Sequence, residues 1–263
     1  MTAMRENIIE LDSVTKTYGG SGLFARRKGQ SRAVSEVSLN IMRGETYGIV
    51  GESGSGKTTL AHLILGILKA DAGHIFIKNE EVLKSDFSSG SMSNVIQFVF
   101  QDPFGALNPR KTVGWSIEEA LHIHNIGERR SRKEKTLEMM SRVGLSKSYY
   151  DRYPRQLSGG QRQRVAIASA LILTPEILVI DEGVSALDVS IQASILNLLN
   201  ELKTSMNLTL VFITHDLNVV QYFCDRVAVI KDGELKEVFE VDTFYEDSHH
   251  PYTEHLFEST LKH

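Results

Sequence analysis

The eight residues Gly51-Glu52-Ser53-Gly54-Ser55-Gly56-Lys57-Thr58 satisfy the phosphate-loop pattern G-x-x-x-x-G-K-[ST] in full. Glycines let successive backbone N–H groups converge on one anion, and a helix starting at Lys57 adds the positive end of its dipole. Lys57 would reach the β- and γ-phosphates, Thr58 would ligate Mg²⁺, and Thr59 would donate on the α-phosphate side. Gly51, Ser53, Gly54, Ser55 and Gly56 complete the nucleotide-binding set on this loop. Alone, the pattern says nucleoside triphosphate and leaves kinases, GTPases and motors open.

Two further clusters could act on such a ligand. Leu157-Ser158-Gly159-Gly160-Gln161 places a serine and two glycines just before a helix expected to run from Arg162 through Val165, Ala168 and Leu171. Its N–H groups and the Ser158 hydroxyl could form a second phosphate cradle. Ile177-Leu178-Val179-Ile180 ends in Asp181-Glu182. Asp181 could orient Mg²⁺ through water, and Glu182 is placed to polarise an attacking water. Thr214-His215-Asp216 closes another apolar run.

These residues need strands and helices to carry them. Alternation over 8–14 and 34–41 predicts paired strands near the N-terminus, with an exposed Gly-, Ser- and Arg-rich loop from Gly19 to Ser31 between them. Glu45 to Val50 reads as a strand ending at Gly51, followed by a helix from Lys57 to about Leu68 with Leu60, Leu63, Ile64 and Ile67 on one face. Ile177–Ile180, Leu208–Thr214 and Val227–Ile230 are short β-branched runs, as buried parallel strands are. The expected fold class is therefore α/β, a P-loop NTPase with a mostly parallel core sheet, an antiparallel β region near the N-terminus and an inserted helical lobe. The lobe is placed at about 103–157, with Ser131 and Glu134 as a capping box and Gly144 as a helix end. A C-terminal extension covers 233–263, and the whole of 1–263 reads as a single domain.

The bulk numbers fit a soluble protein: 263 residues, 41% hydrophobic and 24% charged. A net charge of −4 gives no reason to expect a nucleic-acid partner. The basic clusters at 26–28 and 129–135 read as solvated faces. The single cysteine, Cys224, excludes an internal disulfide or a multi-cysteine metal site, and its neighbours Tyr222 and Phe223 favour a buried thiol. No run approaches the ~18 apolar residues of a membrane span, so a membrane role would come through a partner.

Together with the phosphate loop, Leu157-Ser158-Gly159-Gly160-Gln161 resembles the signature of the ABC ATPases, and the resemblance spans roughly Ile8 to Phe257. It implies that ATP is clamped between the phosphate loop of one subunit and the signature of another. Ser158, Gly159, Gly160 and Gln161 are then nucleotide-binding residues, with Ser158, Gly160 and Asp188 at the dimer interface. Ser185-Ala186-Leu187-Asp188 is similar to the family's D-loop. Gln101 resembles the Q-loop glutamine that senses Mg²⁺ and the γ-phosphate, and His215 the switch histidine. Tyr18 sits where the family carries an aromatic that stacks on adenine. The resemblance thus implies Glu182, His215 and Gln101 as catalytic residues, and Thr58, Gln101 and Asp181 around the metal.

Gln101-Asp102-Pro103 with Leu107-Asn108-Pro109-Arg110, Arg152-Tyr153-Pro154, the run Val184–Gln192 and His250-Pro251-Tyr252-Thr253 are similar to the ATPases of dipeptide, oligopeptide and nickel permeases. That likeness implies an ATPase subunit at the cytoplasmic face of the membrane. It implies two membrane-spanning permease subunits, a second ATPase subunit in a homo- or heterodimer, and an extracytoplasmic binding protein. Phe104 and Leu107 would either meet a coupling helix of a permease or pack inside the lobe. Two residues depart from the branch: Gly183 where proline is usual, and Ser169 where arginine is common. A soluble ABC-type ATPase without a transporter is the alternative of another class.

Overall fold

The computed structural model describes residues 6–19, 31–82, 92–101, 103–181, 188–245 and 248–261. In chain order the strands and helices are β1 (Asn7–Tyr18), β2 (Ser31–Met42), β3 (Thr46–Val50), α1 (Lys57–Ile64), β4 (Ala72–Ile77), β5 (Glu80–Glu81), β6 (Ile96–Val99) and the one-turn α2 (Pro103–Ala106). There follow α3 (Val113–Ile123), α4 (Arg129–Arg142), α5 (Gly159–Leu171), β7 (Ile177–Asp181), α6 (Val189–Met206), β8 (Thr209–Thr214), α7 (Leu217–Phe223), β9 (Arg226–Lys231), β10 (Glu234–Glu240) and α8 (Pro251–Leu261). They form two compact units, one of residues 1–89 with 211–263 and one of residues 90–210. The chain passes from the second unit into the first within β8.

The first unit holds an antiparallel sheet in the order β2-β1-β4-β5, in which Ile9 pairs with Ile41 and Leu11 with Leu39. Ile9, Leu11, Val14, Val37 and Ile41 are buried, while Asp12, Ser13, Glu36 and Ser38 are exposed, as a sheet covered on one face requires. Its second sheet runs β10-β9-β3-β8, with β3 parallel to β9 and β10 antiparallel to it. Every residue of β3 is buried, which suits a strand covered on both faces.

A polar knot sets where β3 begins. Thr46 N–H donates to Asp225 Oδ2 at 2.8 Å, and Asp225 N–H donates back to Thr46 O at 2.8 Å. Beside them Arg226 pairs with Glu45 at 3.2 Å and lies over the Tyr47 ring. Burial pushes the Glu45 carboxyl up in pKa, more than Arg226 and the Met42 N–H pull it down. Since β3 starts there, its five residues end immediately before Gly51.

In the second unit β6 and β7 are parallel, with Ile96 opposite Ile177 and Val99 opposite Ile180. Glu176 O accepts from Thr209 N at 2.8 Å, which ties the start of β8 to the start of β7. Helix α5 packs on α3, α4 and α6, and its Val165, Ile167, Ala168 and Leu171 are buried.

Three local expectations need correction. Helix α1 stops at Ile64 rather than near Leu68, and Ile67 is 49% exposed. Gly66, at φ +62°, turns the chain and gives its N–H to Leu63 O at 3.0 Å. Ser131 and Glu134 form no capping box, because α4 already starts at Arg129 after Glu128, and Glu134 pairs with Arg130 at 3.0 Å. Gly159 and Gly160 are the first two residues of α5 instead of preceding it. Gly144 does end α4: its N–H donates to Ser141 O at 3.0 Å and that of Leu145 to Met140 O at 2.8 Å. Cys224 is buried, as its neighbours suggested. The loop expected from Gly19 to Ser31 falls mostly outside the described residues, and Ser31 already belongs to β2.

Candidate nucleotide site

The phosphate loop leaves β3 at Gly51, where a Cβ would lie 2.1 Å from Ile230 O. It enters α1 at Gly56, at φ +106°, where a Cβ would lie 2.1 Å from Ala33 O. Only glycine fits at either position, so β9 and the start of β2 shape the loop from behind. Gly233 N–H adds a hydrogen bond to Ser55 O at 2.9 Å.

Three observations match this loop to a phosphate. No side chain caps α1, since its N-cap is Gly56, so the first N–H groups of the helix are left to other acceptors. Ser55 is 5% exposed, and its hydroxyl is without a hydrogen-bond partner among the described residues. A buried hydroxyl left so is costly unless something else completes it. Lys57, also 5% exposed, donates from Nζ to Gly51 O at 2.8 Å and to Glu52 O at 2.7 Å, so a cation lies folded over the loop. Ser53, Gly54 and Thr58 are exposed and Thr59 half-buried.

Two more residues of the first unit were expected here. Tyr18 ends β1 opposite Ser31 and is 46% exposed, which leaves ring surface for stacking. His215 follows β8 and is exposed. The next residue, Asp216, caps α7 by accepting from Asn218 N at 3.0 Å and takes its own N–H to Thr214 Oγ1 at 2.9 Å. That turn presents the histidine outside the strand.

The second unit carries the rest. Gln101 and Asp181 leave the same ends of adjacent parallel strands, since Val99 pairs with Ile180. Gln101 is exposed, whereas Asp181 is buried at the last position of β7. Carboxyl ends of parallel strands are where α/β sheets place ligands. Glu182, Gly183 and Ser185 to Leu187 lie outside the described residues.

At the signature, Ser158 is the N-cap of α5. Its Oγ accepts from Gln161 N at 3.3 Å, and Gln161 Oε1 accepts from Ser158 N at 3.0 Å. Gln161 Nε2 also donates to the Tyr149 hydroxyl at 3.2 Å. The Gln161 side chain is thus engaged in holding the helix start, a role its motif position did not reveal. Gly160 is buried, and a Cβ on it would lie 2.7 Å from Ile191 Cγ2 in α6. That glycine therefore sets the approach of α5 to the helix whose N-cap is Asp188. Asp188 is exposed and its side chain makes no capping bond; its carbonyl accepts from Ile191 and Gln192 N–H at 2.9 Å.

A cleft of about 170 Å³ lies in the same unit, lined by Phe98, Ala106, Leu107, Glu119, Ala166 and Ser169 among others. Leu107 is 6% exposed, so it is packed in the lobe and faces this cleft too. The side chain of Phe104 is outside the described set. Ser169 donates to Val165 O at 2.9 Å and bridges to α3 through Ser116 O at 3.1 Å.

Comparison with known proteins gives a consistent picture. Residues 34–185 match the family described as ABC transporter. The chain is 46% identical to the oligopeptide transport ATP-binding protein AppF of Bacillus subtilis, over 98% of this chain and 79% of that protein. It is 44% identical to the dipeptide transport ATP-binding protein DppF of Escherichia coli, over 91% and 72%. Among solved structures it is similar to the ATP-binding cassette MJ0796, dimeric in a post-hydrolysis state with ADP and Pi, at 34% identity and a TM-score of 0.77 over 89% of this chain and 98% of that one. It is also similar to cbiO1 of Clostridium perfringens, part of the ABC transporter complex cbiONQ, at 27% identity and a TM-score of 0.81 over 92% of each.

Proposed function

Because this chain belongs to the ABC transporter family, we propose that it is the ATP-hydrolysing subunit of a multi-subunit importer for peptides. The ATPase activity follows from the family, and the cradle of the first unit carries it structurally. There Gly51 and Gly56 fit only as glycines, the start of α1 is uncapped, and the buried Ser55 hydroxyl is left without a partner among the described residues. The peptide assignment is supported by the transport ATP-binding proteins that resemble the chain over most of its length.

On this reading the loop amides and the N-terminus of α1 hold the phosphates, and Lys57 turns from the loop carbonyls toward them. Thr58 and Asp181, with Gln101, are the groups that would hold Mg²⁺, which supplies charge neutralisation on the phosphate oxygens. Oxygen donors of this kind, few in number and completed by phosphate and water, are what that ion takes. Glu182 orients and deprotonates the attacking water, His215 contacts the γ-phosphate, and Tyr18 stacks on the base. Phosphoryl transfer asks the protein for positioning and charge, and each of these groups offers one or the other.

The signature at Ser158–Gln161 acts on the nucleotide of a second ATPase subunit, with Asp188 at the shared interface. A dimeric relative bound to ADP and Pi supports that arrangement. A coupling helix of a permease subunit docks on the second unit, where the cleft beside Leu107 offers apolar lining and one acidic residue, Glu119. Among the described residues no helix is long and apolar enough to cross a membrane.

The test is expression with and without the cognate permease genes. Membrane recovery that depends on the permease subunits, together with peptide-stimulated ATP hydrolysis in the assembled complex, is expected. A chain that hydrolyses ATP but never co-purifies with membrane subunits would be a soluble ABC-type ATPase instead.

A further inference from the structure

His250-Pro251-Tyr252-Thr253 opens α8, 200 residues beyond the phosphate loop in sequence, yet Tyr252 reaches that loop. Its hydroxyl accepts a hydrogen bond from Glu52 N–H at 3.4 Å, a long bond for this donor. The Glu52 N–H and the Gly51 carbonyl belong to one peptide group, and that carbonyl accepts from Lys57 Nζ at 2.8 Å. One peptide plane is therefore gripped on its oxygen side by Lys57 and on its nitrogen side by Tyr252.

Tyr252 is itself held firmly. It is 7% exposed, and Lys231 Nζ lies 4.3 Å from its ring centroid. Its N–H donates to His250 Nδ1 at 3.1 Å, and the N–H of His250 donates to Glu237 Oε2 at 3.0 Å. The other oxygen of Glu237 meets His249 Nδ1 at 2.7 Å. Further along α8, Phe257 stacks on Phe244 with centroids 4.2 Å apart. A continuous path thus runs from Glu237 on β10 through His250 and Tyr252 to Glu52 and Lys57.

We propose that Tyr252 is a positioning residue for the phosphate loop, holding the Gly51–Glu52 peptide in place while Lys57 exchanges its loop carbonyls for nucleotide phosphates. When the ammonium leaves that carbonyl, the phenol keeps the peptide from rotating, so the loop stays shaped for its anion and Lys57 returns to the same register. The C-terminal extension is on this account a brace for nucleotide affinity. The inference rests on residues 51–58 being the phosphate loop.

The experiment uses the purified full chain, binding of a fluorescent ATP analogue with Mg²⁺, steady-state ATP hydrolysis and thermal unfolding. Tyr252→Phe removes the hydroxyl and keeps the ring under Lys231. It should raise the Kd and KM for nucleotide about three- to tenfold, as loss of one hydrogen bond at a binding loop does, with kcat within about twofold. Its Tm should stay within about 2 °C of the parent. Lys57→Ala, measured alongside, separates the two layers of the argument. If Lys57→Ala abolishes binding while Tyr252→Phe leaves Kd and KM unchanged, the phosphate loop stands and the brace is overturned. A Tyr252→Phe protein that only melts earlier, or loses kcat alone, also overturns it. If Lys57→Ala binds nucleotide normally, the reading of the loop fails and the inference with it.

Discussion

Lys57 and Tyr252 hold opposite sides of the same peptide group, the one from six residues along the loop and the other from 200 residues away. The near contact is a property of the motif, since a lysine at the start of α1 can fold back over the loop that precedes it. The far contact depends on β9, β10 and α8 being packed in one unit with the loop.

Lys57→Ala should abolish tight nucleotide binding, because it removes the cation beside the phosphates while the loop glycines remain. Turnover should fall by about two orders of magnitude or more. Turnover within a few-fold of the parent, measured by phosphate release, would sink the assignment of the loop.

Glu182→Gln should bind ATP normally and hydrolyse it about a hundredfold or more slowly, since the amide cannot take a proton from water. Size-exclusion chromatography with ATP should then find the chain trapped as a dimer with its partner ATPase. Normal hydrolysis would place the catalytic base elsewhere.

Gly160→Ala should push α5 away from α6, because the new methyl would meet Ile191 Cγ2 at 2.7 Å. Overpacking of this kind costs about 1–3 kcal/mol and should also lower ATP turnover by displacing the signature. Adding Ile191→Ala should restore part of both. A double variant no better than Gly160→Ala would show that the glycine matters for another reason.

Ala106→Trp places a large ring in the cleft beside Leu107. Ala106 is exposed, so ATP binding by the isolated chain should stay within about twofold, since exposed substitutions rarely disturb a fold. Co-purification with permease subunits should be lost. Equal recovery of the complex would move the docking surface elsewhere.

Acid should loosen the brace. Burial pushes Glu237 up, but the His249 ring and the His250 N–H beside its carboxylate outweigh it and hold the carboxyl below its ordinary value of 4.5. A lowered folded pKa means stabilisation that is fully present above 4.5 and fades as the pH falls from there through the folded value. The difference in Tm between the parent and Glu237→Gln should be greatest above that point and close below it. A difference that grows on acidification would reverse the sign.

Much of the candidate site was legible because a phosphate cradle is built from consecutive residues. Gly51 to Thr59 needs one strand end, one turn and one helix start, and each leaves its own local mark in composition and spacing. The same holds for the runs that became β3, β7, β8 and β9, whose burial on both faces favours near-continuous apolar stretches rich in Val, Ile and Leu. Helix ends were read less well. Gly66 turns the chain at φ +62°, and a glycine in sequence does not announce which side of a cap it occupies.

What no local pattern could supply were contacts between distant segments. Ala33 and Ile230 explain why Gly56 and Gly51 must be glycines, and Ile191 explains Gly160. Gln161 and Tyr149 brace the signature, and Tyr252 braces the phosphate loop. The residues of the proposed phosphate loop follow one another, so sequence alone could point to them. The residues that hold that loop in shape need only arrive at the right place through packing, and only the tertiary structure decided which they are.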